Sequence, residues 1–249
     1  MTTPVHLILG ATGGIGSALV RTLAAGGARL VIGGRRADAL EALAAETGAT
    51  AVHVDATVSA DIDGAVETAV ARHGRLDGVA NCVGSLLLKP AHLTKPEEFD
   101  DVVAVNLRSS FALVRAATRV MMANASPAGG SIALVASAAA RIGLANHEAI
   151  AAAKGGVIGL TLAAAASYAP KGIRVNCVAP GLVRTPLTAR ITASAAAEQA
   201  SVAMHALGRI GEPEDVAGAL AWLLDGAASS WVTGQVIGVD GGLGTLRSR

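Results

Sequence analysis

An α/β fold, a single domain with a doubly wound seven-stranded parallel sheet flanked by helices, is predicted by three features of this sequence. Short β-rich runs alternate with longer Ala-rich helical stretches along the chain, the pattern of parallel strands joined by crossover helices. The first apolar run passes directly into a glycine-rich turn and then a helix. No repeat of fixed period breaks the alternation, which argues against a solenoid, and 249 residues suit one domain over 1–249.

Strands are expected at 5–9, 29–32, 50–54, 78–81, 131–136, 173–178 and 235–239. Helices are expected at 15–25, 37–46, 61–73, 96–123, 147–168 and 213–225, with Gly or Pro punctuating most ends. The longest stretch without clear periodicity runs over 181–211. It follows a strand end, where open parallel sheets place their ligands, so a substrate loop or lid is expected at about 182–211.

Hydrophobic residues make up 52% of the chain and charged residues 16%, enough for a large core with apolar surface left over. That surplus favours an oligomer. Twenty Lys and Arg against nineteen Asp and Glu leave a net charge of +1, which gives no electrostatic reason to bind nucleic acid or an anionic membrane. The only cysteines, Cys82 and Cys177, have neither disulfide-framework nor zinc spacing. The N-terminus lacks a basic n-region and a cleavage site, and no uninterrupted apolar span approaches about 18 residues. A cytoplasmic location is the expectation.

The first strand runs into Gly10-Ala11-Thr12-Gly13-Gly14-Ile15-Gly16. Missing side chains let the backbone turn sharply and approach a pyrophosphate, and the following helix N-terminus offers free N–H groups. A tight structural turn would need similar glycines, but the strand, turn, helix, strand order favours a dinucleotide site. At the end of the second strand, where a carboxylate would bind the ribose of NAD, the chain has Gly33-Gly34-Arg35-Arg36. Two guanidiniums suit a phosphate, so NADP(H) is favoured and NAD(H) stays possible. Asp38 reads as a helix-start residue.

In these motifs and those that follow, the sequence resembles the classical short-chain dehydrogenase/reductase family over nearly its whole length. The glycine turn is similar to that family's dinucleotide motif, which implies cofactor contacts at Gly10, Thr12, Gly13, Gly14, Ile15 and Gly16. Asp55, followed by Ala56, resembles the adenine-contacting Asp. Asn81-Cys82-Val83-Gly84 resembles the segment closing the fourth strand, and Asn106 the Asn that props a catalytic water. Ser137 stands where the family places the Ser that holds the substrate oxygen. Pro180-Gly181, with Val183 and Thr185, resembles the segment that clasps the nicotinamide. Val232-Thr233-Gly234-Gln235 and Val239-Asp240-Gly241-Gly242 are also characteristic. The resemblance implies a Rossmann fold, a small-molecule substrate and a homotetramer, with the helices at 96–123 and 147–168 pairing across one interface.

One position departs from the family. Its signature places Tyr thirteen residues after the Ser and Lys four residues further on; here those positions are Ser137, Ile150 and Lys154. The only tyrosine, Tyr168, lies about 27 Å along the helix from position 150 and reads as a packing residue. An aliphatic side chain cannot shuttle a proton, and a positioned general acid contributes about 10²–10⁴ in rate. Lys154 shares the helix face of Ile150 and is expected to reach the nicotinamide ribose. His147, three residues before Ile150, is the candidate replacement acid, although a pocket-lining or capping role is as compatible with its position. Glu148 is expected to face solvent, and the remaining histidines are too scattered to suggest a metal site. Chemistry needing no protein acid also stays open: reduction of an iminium, or of an activated alkene protonated by water.

Leu86, Leu87, Leu88, Ile142, Leu144, Leu187, Met204 and Leu207 fall in loops at the carboxyl edge of the sheet, and with Ile150 imply an apolar substrate cavity, although some must serve the core or a subunit contact. Two principal readings follow: an NADP(H)-dependent oxidoreductase with altered proton transfer, acting on a small apolar carbonyl, imine or activated alkene, or a catalytically impaired nucleotide-binding or regulatory protein.

Overall fold

The computed structural model describes residues 3–124 and 129–246. Seven strands, β1 (Val5–Leu9), β2 (Arg29–Gly34), β3 (Thr50–His53), β4 (Gly78–Asn81), β5 (Gly130–Val135), β6 (Ile173–Pro180) and β7 (Val236–Val239), form one sheet in the order β3-β2-β1-β4-β5-β6-β7. Every neighbouring pair is parallel. The chain winds outward from β1 to β3, then returns to place β4 on the other side of β1. The switch point at the carboxyl ends of β1 and β4 is where such sheets open a ligand crevice.

Helices cover both faces, so the central strands are apolar without a solvent side. Along β1, Leu7 and Leu9 join one core cluster and Ile8 the other, the two-residue alternation of a strand. One layer contains α1 (Gly14–Ala25), α2 (Ala37–Thr47) and α8 (Pro213–Leu224), and buries Leu19, Leu40 and Leu220. The opposite layer contains α3 (Ser59–His73), α5 (Ser109–Met121) and α6 (Glu148–Tyr168), and buries Ile62, Leu113 and Val157. Tyr168 packs against this second cluster, as a helix-end packing residue should.

The structure differs from the sequence expectation at three places near the crevice. The helix expected over 96–123 is broken into α4 (Pro96–Val103), a π-helical turn (Ala104–Arg108) and α5. Hydroxyl groups reach back across that turn: Ser109 Oγ donates to the Val105 carbonyl at 2.6 Å and Ser110 Oγ to that of Asn106 at 2.9 Å. The Asn81 amide donates to both hydroxyls at 3.0 Å, tying the turn to the end of β4. Secondly, the stretch without periodicity contains a helix, α7 (Ala195–Met204), capped by Ser194 Oγ accepting from Ala197 N at 3.2 Å. Its only fully buried residue is Ser201, so it carries no apolar stripe for a periodicity argument to find. Thirdly, α6 begins at Glu148, leaving His147 as its N-cap rather than in its first turn.

By length and composition alone, the segment Glu148–Lys171 is apolar enough to cross a membrane. In the structure α6 packs on the sheet beside β6 and buries Val157, Thr161, Ala164 and Ala165, as a core helix does.

At the amino end of β1, His6 is buried and its Nδ1 has no hydrogen-bond partner. Burial holds the imidazole down at about 4, against a weaker upward pull from the Asp77 and Asp225 carboxylates. The unfolded chain therefore takes up this proton first, and the contribution of neutral His6 is complete above pH ~6.5 and lost as pH falls towards about 4. Urea titrations at pH 7.5 and 4.5 should show the native chain losing about 2–3 kcal/mol more unfolding free energy than His6→Leu. Equal losses would refute this account of His6.

Candidate active site

The glycine turn is shaped by contacts that leave no room for side chains. Gly10 sits in the left-handed region at φ +71°, and a Cβ there would lie 2.7 Å from the Cys82 carbonyl carbon and the Val83 nitrogen. A Cβ on Gly14 would meet Thr185 Cγ2 at 2.7 Å, and one on Gly16 would strike the Gly10 carbonyl. Gly13 N donates to the Gly10 carbonyl at 3.0 Å, and α1 starts at Gly14 with its first N–H groups facing the crevice end. Close packing thus requires glycine at these positions, and the tight turn leaves the N-terminal N–H groups of α1 free to meet a pyrophosphate.

A cavity of about 210 Å³ opens beside the turn. Gly10, Thr12 and Gly13 line it just after β1, Arg35 and Arg36 just after β2, Asp55 and Ala56 after β3, and Val83 and Gly84 after β4. Arg36 Nη2 donates to the Thr12 carbonyl, which folds its guanidinium over the turn. Asp55 Oδ1 accepts from Thr57 N at 2.9 Å and Thr57 Oγ1 at 2.7 Å; these bonds, backbone first, hold its carboxyl below the usual range. The expected cofactor residues Gly14, Gly16 and Asn81 do not line this cavity. Gly16 packs under the turn, and the Asn81 side chain is spent on Ser109, Ser110 and Val83 N.

A second cavity, about 400 Å³, adjoins the first through Cys82, Val83 and Gly84. Its walls bring together Ile15, Asn106, Ser137, His147, Ile150, Lys154, Pro180, Gly181, Val183 and Thr185, residues from five separate parts of the chain. Ser137 caps a short 3₁₀ turn, its Oγ accepting from Ala139 N at 3.1 Å, which leaves the hydroxyl proton to donate into the cavity. Lys154 is buried, and its Nζ donates to the Val135 carbonyl at 2.8 Å. Burial lowers the ammonium to about 8, and a weaker pull from Cys82 and Cys177 raises it.

Ile150 is 4% exposed and packs with Val102, Ala149 and Ala153, with Leu86, Leu87 and Leu107 around them. The cavity wall one helical turn from Lys154 is thus apolar. His147 lines the same cavity, with Nδ1 2.7 Å from the Ala145 carbonyl. Nδ1 must carry the proton in that bond, so Nε2 of the neutral ring is an acceptor, and the ring delivers a proton only as imidazolium. The Asn106 side chain is also fully engaged, with Ser85 Oγ at 3.0 Å, Ser85 N at 3.3 Å and the Val102 carbonyl at 2.9 Å.

Of the expected apolar loop residues, Leu86, Leu88, Leu144, Leu187 and Met204 line the cavity; Leu87 packs behind Ile150, and Ile142 and Leu207 stand outside. Leu187 and Met204 are about half exposed, at 52% and 43%. Sequence reasoning missed Cys82, Ile191, Thr188 and His205 as lining residues. The position of Cys82 in the segment after the fourth strand was the available signal. Its thiol is pushed up to about 12 by burial, and so is unreactive. Among the described residues no three His, Cys, Asp or Glu side chains group as metal ligands.

The family model described as enoyl-(acyl carrier protein) reductase matches residues 10–244. The chain belongs to the short-chain dehydrogenase/reductase family of oxidoreductases. It is 36% identical over 246 residues to a 3-oxoacyl-acyl-carrier-protein reductase of Thermotoga maritima, covering 96% of this chain and 97% of that relative. A short-chain type dehydrogenase/reductase from Mycobacterium ulcerans superposes with a TM-score of 0.92 at 33% identity, covering 100% of this chain and 93% of the other. A 3-ketoacyl-acyl-carrier-protein reductase from Brucella melitensis, solved with NADH, gives 0.89 at 34% identity and covers 97% and 98%.

The two constraints on Gly10 can be separated by mutation. Gly48 has the same φ of +71°, but a Cβ there meets nothing within 4 Å. Gly48→Ala carries the backbone strain alone, about 1 kcal/mol, whereas Gly10→Ala adds displacement of the β4 end and should cost at least twice as much in urea unfolding. Equal losses would show that the close approach to Cys82 and Val83 is unimportant.

Proposed function

We propose that the protein is an NADP(H)-dependent oxidoreductase with a non-classical proton transfer, acting on a small, neutral, largely apolar carbonyl, imine or activated alkene. The observation that carries this reading is the buried Ile150 in the wall of an apolar cavity that directly adjoins a glycine cradle and two arginines. The cradle fits a dinucleotide: Gly10 to Gly16 would take the pyrophosphate at the start of α1, Arg35 and Arg36 the 2′-phosphate, and Asp55 with Ala56 the adenine. Val83, Gly84, Pro180, Gly181, Val183 and Thr185 would hold the nicotinamide end, and Lys154 its ribose. When bound, the nicotinamide supplies or accepts a hydride.

On the protein side, Ser137 is placed to donate to a substrate heteroatom, and Ile150 to shape the pocket around the carbon that reacts. Among the cavity's lining residues there is no carboxylate, and its buried cation is Lys154. A cationic iminium would therefore meet repulsion without a counter-charge, so neutral electrophiles are favoured over that option. Without the phenol, ordinary ketone reduction loses an acid contributing about 10²–10⁴ in rate. An activated alkene protonated by water suffers less, and the matched enoyl reductase family model supports that choice. Exposed Phe111 on α5 (57%), Leu162 on α6 (50%) and Trp231 before β7 (98%) support the proposed homotetramer. The same Ile150 favours the second reading, a nucleotide-binding protein with no turnover of its own.

Fluorescence titration should show NADPH binding at least about tenfold tighter than NADH, with Arg36→Asp reversing or abolishing the preference. Stopped-flow mixing of the NADPH complex with ketone, neutral imine and enone panels should show oxidation of NADPH by the enones first. Binding without oxidation by any panel member would establish the second reading, and tighter NADH binding would refute the cofactor preference.

A further inference from the structure

We propose that His205 is a positioning residue: a neutral ring, protonated on Nδ1, that fixes the Gly181-Leu182 backbone at the mouth of the cavity and ties it to the lid helix α7. His205 is 3% exposed and follows directly on α7. Its Nδ1 lies 2.7 Å from the Ser201 carbonyl, one turn back in that helix, and Leu182 N donates to its Nε2 at 3.1 Å. A carbonyl can only accept and an N–H can only donate, so these two partners together require the proton on Nδ1 and the lone pair on Nε2.

Two glycines make space for the ring. A Cβ on Gly181 would stand 2.6 Å from Nε2, and Gly241, at φ +56°, packs against the ring edge, where a Cβ would meet Cβ and Cδ2 at 3.4 and 3.5 Å. The ring is therefore clasped between the turn after β6 and the turn after β7. The Leu182 carbonyl accepts from Gly211 N at 2.8 Å, so with His205 both main-chain groups of Leu182 are anchored. Arg184, two residues on, pairs with Glu198 of α7 at 2.7 Å, but this ion pair is exposed and weak beside a buried hydrogen bond. His205 is thus the buried link between the lid and the backbone that the proposed cofactor reading sets against the nicotinamide. The cofactor consequence rests on that reading; the tautomer and the link do not.

The test combines ¹⁵N-histidine NMR on the wild-type chain with amide hydrogen exchange and NADPH titration of His205→Gln and His205→Leu. Gln retains a side-chain acceptor for Leu182 N–H and Leu does not. The expected results are an Nδ1-protonated His205, Leu182 amide exchange about tenfold faster in His205→Leu but within about threefold of wild type in His205→Gln, and NADPH affinity following the same order. An Nε2-protonated or charged ring in the wild type, or equal Leu182 exchange in the two variants, would overturn the proposal. If His205→Leu fails to fold, the wild-type tautomer and wild-type-like exchange in His205→Gln decide it. Failure of the wild type to bind NADPH would refute the cofactor reading, while the tautomer and the Leu182 exchange would still decide the link.

Discussion

The backbone of Gly10 passes so close to the Cys82–Val83 peptide that no side chain fits between them, and the rest of the site follows from this approach at the sheet's switch point. It aims the start of α1 into the crevice, places β4's end against the turn, and makes Cys82 to Gly84 the shared wall of the two cavities. A left-handed φ at Gly10 is compatible with this geometry only in the absence of a Cβ. The π-helical turn at 104–108 serves the same junction from the other side, because Asn81 at the end of β4 is held by the serines that follow the turn.

Around this rigid junction the chemistry is uneven. The cavity beside the glycine turn carries two arginines, while the adjoining one is walled by leucines, Ile150 and Met204 around the buried Lys154. Lys154 stays buried and near its titration range with an isoleucine one turn away, so its ammonium can act only through its own three protons. His147, which lines the same cavity, has its Nδ1 engaged by the Ala145 carbonyl. The cavity that both line has no carboxylate among its lining residues, which supports the proposal of a neutral substrate.

Much of the fold was legible in the sequence. β1 and β4 occupy the expected spans, because a buried parallel strand reads as an uninterrupted apolar run and the glycine turn after β1 has few alternatives. The break at 104–108 was not legible: it arises from hydroxyl and amide bonds to Asn81, far away in sequence, and a periodicity count does not register them. Helix α7 was hidden because it buries almost nothing. In the sequence His205 is an isolated histidine, since its partners at Gly181, Leu182 and Gly241 come together only when the ends of β6 and β7 lie side by side. That Ile150 stands at the tyrosine position is an expectation from the family resemblance and the Ser137, Ile150, Lys154 spacing, whereas the apolar packing of Ile150 against α4 needed three dimensions.

We propose that the dinucleotide half of the site is complete and that carbonyl chemistry is limited by the side chain at position 150. Single-turnover reduction of a ketone by the NADPH complex of Ile150→Tyr, compared with wild type, tests it most directly. A gain of at least about 10² in the rate of NADPH oxidation, with the NADPH dissociation constant changed less than about threefold, is the predicted result. No gain in a variant that folds and binds NADPH normally would contradict the claim and place the limitation elsewhere in the cavity.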